Sequence, residues 1–150
     1  MCEALGKSSK DPVLAFREVR LERQLGGSLA IARHCAGLGA QVTLGTALGP
    51  EPETARLITQ ELASHVALQL HVQEARPTII KRRFVDEGSM QRVFETYQMA
   101  AETSVADDAL DSYVAKLLKE PFDVVLVCDY GHGFFSSFFS ERRRCRPFCQ

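Results

Sequence analysis

Apolar positions recur along this chain at two spacings, one typical of helices and the other of strands. The helical spacing predicts helices over residues 26–39, 53–62 and 104–117. Short apolar or alternating runs predict strands over residues 41–46, 66–72, 78–85, 90–97 and 122–128, with one or two short strands within residues 12–23 and a loop over residues 1–11. Strands separated by helices predict an α/β fold with a mostly parallel sheet, into which the small antiparallel hairpin of residues 78–97 is inserted.

The first of these helices opens with two adjacent glycines, Gly26 and Gly27. Because they lack side chains, they leave backbone N–H groups at the start of a helix open to close approach by a ligand. The apolar residues Ile31, Cys35 and Leu38 follow at helical spacing and are expected to face inward. The same pattern also suits a plain corner between a loop, a helix and a strand, so the residues alone leave both interpretations open.

Residues 122–128 are almost uniformly apolar, which is typical of a strand buried on both faces in a parallel sheet. Asp129 follows directly and is therefore expected at the carboxyl end of that strand, the edge at which open α/β sheets bind ligands. A carboxylate at this place suits a polyhydroxylated ligand or a metal-bound phosphate. Asp129 is equally suited to capping the next turn.

The predicted hairpin carries three successive cations, Lys81, Arg82 and Arg83. On a strand, Lys81 and Arg83 lie on one face and Arg82 lies on the other. Two cations on one face are able to hold a phosphate group, the guanidinium in a bidentate contact. The alternative is that they form the solvated face of an ordinary hairpin.

Composition narrows the classes of partner and compartment. The 150 residues carry a net charge of -1, so no overall charge favours nucleic acid or an anionic membrane as a partner. We find no apolar run long enough to span a membrane and no secretory signal pattern, and we expect a cytoplasmic protein. The five cysteines are odd in number and scattered, which favours a reducing compartment and argues against a zinc site. No residue is assigned a catalytic or metal-binding role.

Three segments of the chain resemble one family, in the same order and at comparable spacing. Residues 26–40 (GGSLAIARHCAGLGA) resemble the N-terminal signature of the PfkB or ribokinase-like carbohydrate kinases. Residues 76–83 (RPTIIKRR) and 129–133 (DYGHG) resemble segments of the heptose 7-phosphate kinase branch of that family. The resemblance extends over residues 2–137.

This resemblance implies ATP-dependent phosphoryl transfer to a sugar or to a sugar phosphate such as heptose 7-phosphate, with Mg²⁺ bridging the nucleotide phosphates. It also implies a partial ribokinase-like fold, in which the sugar lies between the sheet and a small β lid. Gly26, Gly27 and Asp129 would contribute to substrate binding, and Lys81 and Arg83 of the lid would hold the substrate's phosphate. A homodimer through the β lid is a further expectation.

The chain departs from the family pattern at several positions. Ala30 stands where the family usually has an asparagine that contacts sugar hydroxyls, and His132 stands where the heptose kinases typically have a lysine. We expect residues 1–137 to form the N-terminal, substrate-side part of a kinase domain. Residues 138–150 are expected to form an aberrant, basic and disordered tail.

The sequence therefore predicts an incomplete sugar kinase that is inactive alone, because the ATP site and the catalytic base of the family are expected outside these residues. On this interpretation, ATP and Mg²⁺ belong to the complete family member and are not bound by this chain. The alternative is a non-catalytic module that binds a sugar phosphate or another protein.

Overall fold

The computed structural model describes residues 1–8, 10, 13–100 and 108–132 of the protein. In chain order the elements are β1 (Cys2–Lys7), β2 (Leu14–Glu18), α1 (Gly27–Gly37), β3 (Val42–Leu48), α2 (Pro52–Leu62), β4 (Val66–Val72), β5 (Ile80–Val85), β6 (Arg92–Gln98) and α3 (Asp108–Leu117). The mixture of helices with parallel and antiparallel strands confirms an α/β protein. The prediction of a mostly parallel sheet is wrong, because one strand pair in the described part of the chain is parallel and two are antiparallel. The predicted helix start at Ser104 and the tail of residues 138–150 lie outside the described residues.

The chain divides into two compact units. The first, which we call the strand unit, comprises Met1–Gln24 and Ile79–Met99 and contains β1, β2, β5 and β6. The second, the helix–sheet unit, comprises Leu25–Thr78 and the described residues from Ala100 onward. It contains β3 and β4 together with all three helices, and each unit is described by itself below.

In the helix–sheet unit, β3 and β4 form a parallel pair that α2 connects. The pairing runs without a shift from Val42 opposite Val66 to Leu48 opposite Val72. Parallel strands require such a crossover, because the chain must return to the same end of the sheet before the second strand begins. The predicted bounds of β4 are confirmed, and those of β3 differ by one residue at its start and two at its end.

The core of this unit lies between the parallel pair and the first two helices. Its buried residues are Ala32, Leu44, Leu48, Ile58, Leu62 and Val66. Ile58 and Leu62 lie four residues apart on α2, so one face of that helix carries the most deeply buried side chains. On α3, Leu110 and Val114 are buried at the same spacing, as the apolar pattern predicts.

The inward face of α1 differs from the prediction. Leu29, Ala32 and Ala36 pack in or against the core, whereas Leu38 is 89% exposed. The helix ends at Gly37 and Leu38 is its C-cap, so Leu38 no longer follows the helical face. The prediction that Leu38 faces inward is therefore wrong.

The prediction of a buried strand over residues 122–128 is also wrong. No strand is assigned there, and Val124 and Leu126 are 73% and 64% exposed. An apolar run becomes a strand only when a neighbouring strand pairs with its backbone groups, and no strand in the described part of the chain pairs with this one. Asp129 consequently does not follow a strand in this structure.

The strand unit contains two antiparallel pairs, β1–β2 and β5–β6. The predicted loop over residues 1–11 is wrong, because Cys2–Lys7 pairs with Leu14–Glu18. Cys2 is buried, and its Sγ lies 3.4 Å from the carbonyl oxygen of Val85. Pairing rather than strand propensity orders β1, since Glu, Ala and Gly are poor strand formers.

The predicted hairpin is confirmed in β5 and β6. Arg83 lies opposite Glu95 and Lys81 lies opposite Tyr97. The connection is fixed by Asp86, whose Oδ2 accepts hydrogen bonds from the backbone N–H of Ser89 at 2.9 Å and from its hydroxyl at 2.7 Å. These bonds lower the pKa of the Asp86 carboxyl, the Ser89 hydroxyl being the largest cause.

Across the described residues, the helices are too short or too polar to cross a membrane.

Candidate functional site

The glycine-opened start of α1 lies close to the ring of Tyr130. Gly26 is the N-cap in extended backbone, and Gly27 has a φ of +54°. A Cβ atom at Gly27 would lie 3.3 Å from a ring carbon of Tyr130. A side chain there would be strained by the backbone and would crowd this ring, so the structure requires glycine at this position.

Asp129 precedes this tyrosine and is exposed. Its Oδ1 accepts a hydrogen bond from the backbone N–H of Gly131 at 2.9 Å, and Gly131 has a φ of +73°. This is the turn-capping role that the sequence offered as one of two alternatives. The contact of Tyr130 with the Gly27 position brings this turn to the start of α1, so Gly27 and the Asp129 turn lie in one neighbourhood.

A second polar arrangement, which we call the Glu51–Thr78 clamp, lies just beyond the end of β3. The Thr78 hydroxyl donates a 2.7 Å hydrogen bond to Oε2 of Glu51 and accepts one from the backbone N–H of Gly49 at 2.8 Å. The Thr78 backbone N–H also donates to the Glu51 carboxylate at 3.2 Å. The Thr78 hydroxyl lowers the pKa of Glu51 more than any other group.

The clamp occupies the edge at which parallel strands end, the usual ligand edge of such sheets. The Arg76 carbonyl oxygen belongs to the same surroundings, because it would lie 2.6 Å from a Cβ placed on Gly49. The Nη2 atom of Arg76 is buried without a hydrogen-bond partner among the described residues. A buried guanidinium nitrogen without an acceptor costs free energy of folding.

In the strand unit, three cations converge on one carboxylate. Glu95 Oε2 lies 2.6 Å from Lys81 Nζ, and Glu95 Oε1 lies 3.1 Å from Arg83 Nε and 3.3 Å from an Nη1 atom of Arg92. We call these four residues the Glu95 cluster. The neighbouring cation Arg82 instead donates to Gln98 Oε1 at 3.3 Å. Lys81 and Arg83 therefore share a face that excludes Arg82, as the strand period predicts.

The electrostatics of the Glu95 cluster follow from these contacts. The pKa of Glu95 is lowered, chiefly by its hydrogen bond from Lys81, and the pKa of Lys81 is raised, chiefly by the same bond. Lys81 Nζ also lies 4.7 Å from the centre of the Tyr97 ring, within the range of a cation–π contact. The cluster is charged and paired at neutral pH, with an excess of positive charge.

The residues predicted for binding fall in both units. Lys81 and Arg83 lie together in the strand unit, and Gly26, Gly27 and Asp129 lie in the helix–sheet unit. Sequence reasoning missed Glu95 and Arg92. A four-residue turn over residues 86–89 would place position 92 opposite position 83, whereas the structure pairs Val85 with Arg92 and shifts the register between Phe84 and Val85, which brings Glu95 opposite Arg83.

The protein is therefore a mixed α/β protein that contains a helix opened by two glycines and, in its other unit, a hairpin rich in cations. The chain is 31% identical over 126 residues to "D-beta-D-heptose 7-phosphate kinase" of Bordetella bronchiseptica, a match that covers 84% of this chain and 39% of that protein. It is 36% identical over 132 residues to "Bifunctional protein HldE" of Rhodopseudomonas palustris (strain HaA2), covering 81% of this chain and 25% of that protein. A further HldE protein, from Bradyrhizobium diazoefficiens, is 31% identical over 138 residues.

No family model matches the chain. The relatives nevertheless confirm the resemblance that the sequence predicts: the chain is a homologue of part of the heptose 7-phosphate kinase and HldE proteins, which relates it to sugar kinases. It spans between about a quarter and two fifths of the length of these relatives.

Proposed function

We propose that this chain is the substrate-side part of a ribokinase-like sugar kinase, and that it binds the phosphate of a sugar phosphate such as heptose 7-phosphate. The observation that carries the proposal is the convergence of Lys81, Arg83 and Arg92 on one point of the hairpin. The similarity to a heptose 7-phosphate kinase suggests the substrate class. Gly26, Gly27 and Asp129 of the helix–sheet unit are proposed as sugar-binding residues.

The chemistry of the cations suits a phosphate ester. Guanidinium groups offer paired N–H donors that match two phosphate oxygens, and an ammonium adds a compact charge. Arg83 contacts Glu95 through its Nε atom, and its side chain is 54% exposed. This exposure leaves the guanidinium group accessible to a ligand from solvent.

We also propose that the 150 residues, taken alone, bind this substrate without transferring a phosphoryl group. They span at most 39% of the first relative's length, and the proposal places the ATP site and the catalytic base in the remainder of such a protein. ATP would supply the phosphoryl group and Mg²⁺ would neutralise its charge. Among the described residues no three His, Cys, Asp or Glu side chains form a group that could hold a metal ion, and the proposal assigns none to Mg²⁺.

The experiment compares binding of heptose 7-phosphate and of the unphosphorylated heptose by calorimetry, with ADP release measured in parallel. We expect the phosphorylated sugar to bind more tightly, and Arg83→Gln to weaken that binding about tenfold, since a charge-assisted contact is lost. Arg82→Gln is the matched control, because it removes the same charge from the opposite face of β5 and should leave affinity nearly unchanged.

Equal affinity for the two sugars, or equal effects of the two arginine substitutions, would contradict phosphate binding by the hairpin. ADP release that depends on the sugar would contradict the proposal that these residues do not catalyse transfer alone.

A further inference from the structure

The Glu95 cluster contains a carboxylate at the point where a bound phosphate is expected. Both oxygens of Glu95 are engaged: Oε2 by Lys81, and Oε1 by Arg83 and Arg92 together. The side chain of Glu95 is only 24% exposed, the least of the four side chains in the cluster. It is therefore the centre of the cluster rather than a residue at its rim.

We propose that Glu95 is an internal counter-ion that a phosphate dianion displaces, and that it makes the hairpin selective for dianions over monoanions. This inference rests on the proposed function, since it concerns the same cations. It assigns to Arg92 a role as third phosphate-binding cation and to Glu95 a role in specificity, neither of which the sequence pattern predicted.

Displacement is favoured by the number of acceptors that each anion offers. The two oxygens of Glu95 serve three cations, so Arg83 and Arg92 must share Oε1. The terminal oxygens of a phosphate monoester number three, which gives each cation an acceptor of its own. While Glu95 is engaged, the cluster has a net charge of +2. Once Glu95 is displaced, all three positive charges face the dianion, and the repulsion between Glu95 and the ligand at close range is relieved.

A monoanion has no such advantage. A free carboxylate brings the same charge and the same two oxygens as Glu95, and it must also lose translational freedom that Glu95, being tethered to β6, has already lost. Glu95 therefore excludes ligands that resemble itself. A ligand enters only when its charge and its number of acceptors exceed those of a carboxylate.

The test measures binding of inorganic phosphate and of acetate to the full chain and to Glu95→Gln, at neutral pH and constant ionic strength, by NMR titration of the β5 and β6 amides. Glutamine keeps the size of the side chain and removes its charge. We expect phosphate affinity to rise about tenfold in Glu95→Gln, since a like charge is removed from the site. Acetate binding should become measurable only in this variant, so that selectivity for phosphate falls.

The matched control is Glu3→Gln. Glu3 forms a cross-strand ion pair with Arg17 on β1–β2 in the same unit, so its loss changes the net charge of the protein equally. This variant should bind phosphate as the unmodified chain does. A double substitution, Glu95→Gln with Arg83→Gln, should lose the gain in phosphate affinity if the gain arises within the cluster.

The outcomes separate the two proposals. If the unmodified chain binds phosphate and Glu95→Gln binds it equally or more weakly, the inference about Glu95 is overturned while phosphate binding by the hairpin stands. If neither protein binds phosphate, both proposals fail. An equal gain in Glu3→Gln would assign the effect to overall charge and would also overturn the role of Glu95.

Discussion

The parallel pair β3–β4 buries apolar side chains, whereas the hairpin β5–β6 presents charged ones. Leu44, Leu48 and Val66 of the parallel pair are core residues, while neither β5 nor β6 contains a buried residue. The hairpin is instead specified by its turn, by the stacked pair Phe84 and Phe94 and by the ion pairs of Glu95. The connection explains the contrast: a crossover helix covers the parallel strands as it joins them, and a short turn joins the hairpin without covering it.

The largest expected effect concerns the covered sheet. Leu48→Ala removes a side chain that is 5% exposed and leaves a cavity beside α2, so we expect the free energy of unfolding to fall by about 2–5 kcal/mol. Chemical denaturation followed by far-ultraviolet circular dichroism measures this change.

The same substitution at Leu126 is the matched control, because that leucine is exposed and should cost no more than about 0.5 kcal/mol. Equal losses at the two positions would show that residues 122–128 are buried after all and would restore the original prediction for that run.

A smaller effect is expected at the end of the parallel pair. A Cβ on Gly49 would lie 2.5 Å from Glu51 Oε2 and closer still to the backbone nitrogen of Thr78. Gly49→Ala should therefore displace the Glu51–Thr78 clamp and lower stability by about 1–3 kcal/mol, the usual cost of overpacking.

Gly88→Ala, in the turn of the hairpin, makes the corresponding test in the hairpin β5–β6. The nearest atom to a Cβ there is Asp86 Oδ2 at 3.7 Å, an ordinary contact. The thermal midpoint of the Gly88→Ala variant should stay close to that of the unmodified protein. A drop as large as that of Gly49→Ala would mean that the turn is as tightly packed as the end of β3.

The smallest effect is a pH dependence of the hairpin. Glu95 has a pKa below its ordinary value of 4.5, so the stability that its ion pairs contribute is complete above that value and is lost as the pH falls through the lowered pKa. Lys81 has a pKa above its ordinary value of 10.5, so its contribution is complete below 10.5 and is lost as the pH rises through the raised pKa. At neutral pH both contributions are present.

Thermal melting of the β5 and β6 resonances, followed by NMR at pH 7 and pH 3, measures the acid side of this dependence. We expect the hairpin to melt at a lower temperature at pH 3 and the difference to shrink in Glu95→Gln. An unchanged difference in that variant would assign the acid effect to other carboxylates, such as Glu51.

Local pattern was sufficient where an element's own residues determine it. The alternation of Val66, Leu68, Leu70 and Val72 predicted β4 to the residue, and the helical spacing of Ile58 and Leu62 predicted the buried face of α2. In each case, the period of the apolar residues matches the period of the element.

The local sequence pattern was insufficient where a segment forms a strand only if a partner distant in sequence pairs with it. β1 exists because Leu14–Glu18 supplies its ladder, and the more apolar run of residues 122–128 forms no strand because no described strand pairs with it. The site shows the same division. Lys81 and Arg83 were predicted from the strand period, but the position of Glu95 depends on the register of the hairpin, which the turn and the register shift beside it fix.

The distribution of the three tyrosines gives the protein a set of built-in spectroscopic reporters. The chain has no tryptophan and three tyrosines, and each tyrosine marks a different place. Tyr97 lies beneath Lys81, Tyr113 stacks on His71 with ring centres 5.2 Å apart, and Tyr130 lies against Gly27. Fluorotyrosine labelling would therefore yield one ¹⁹F signal for the hairpin, one for the packing of α3 on β4 and one for the start of α1. A single labelled sample can report which of these places a ligand reaches.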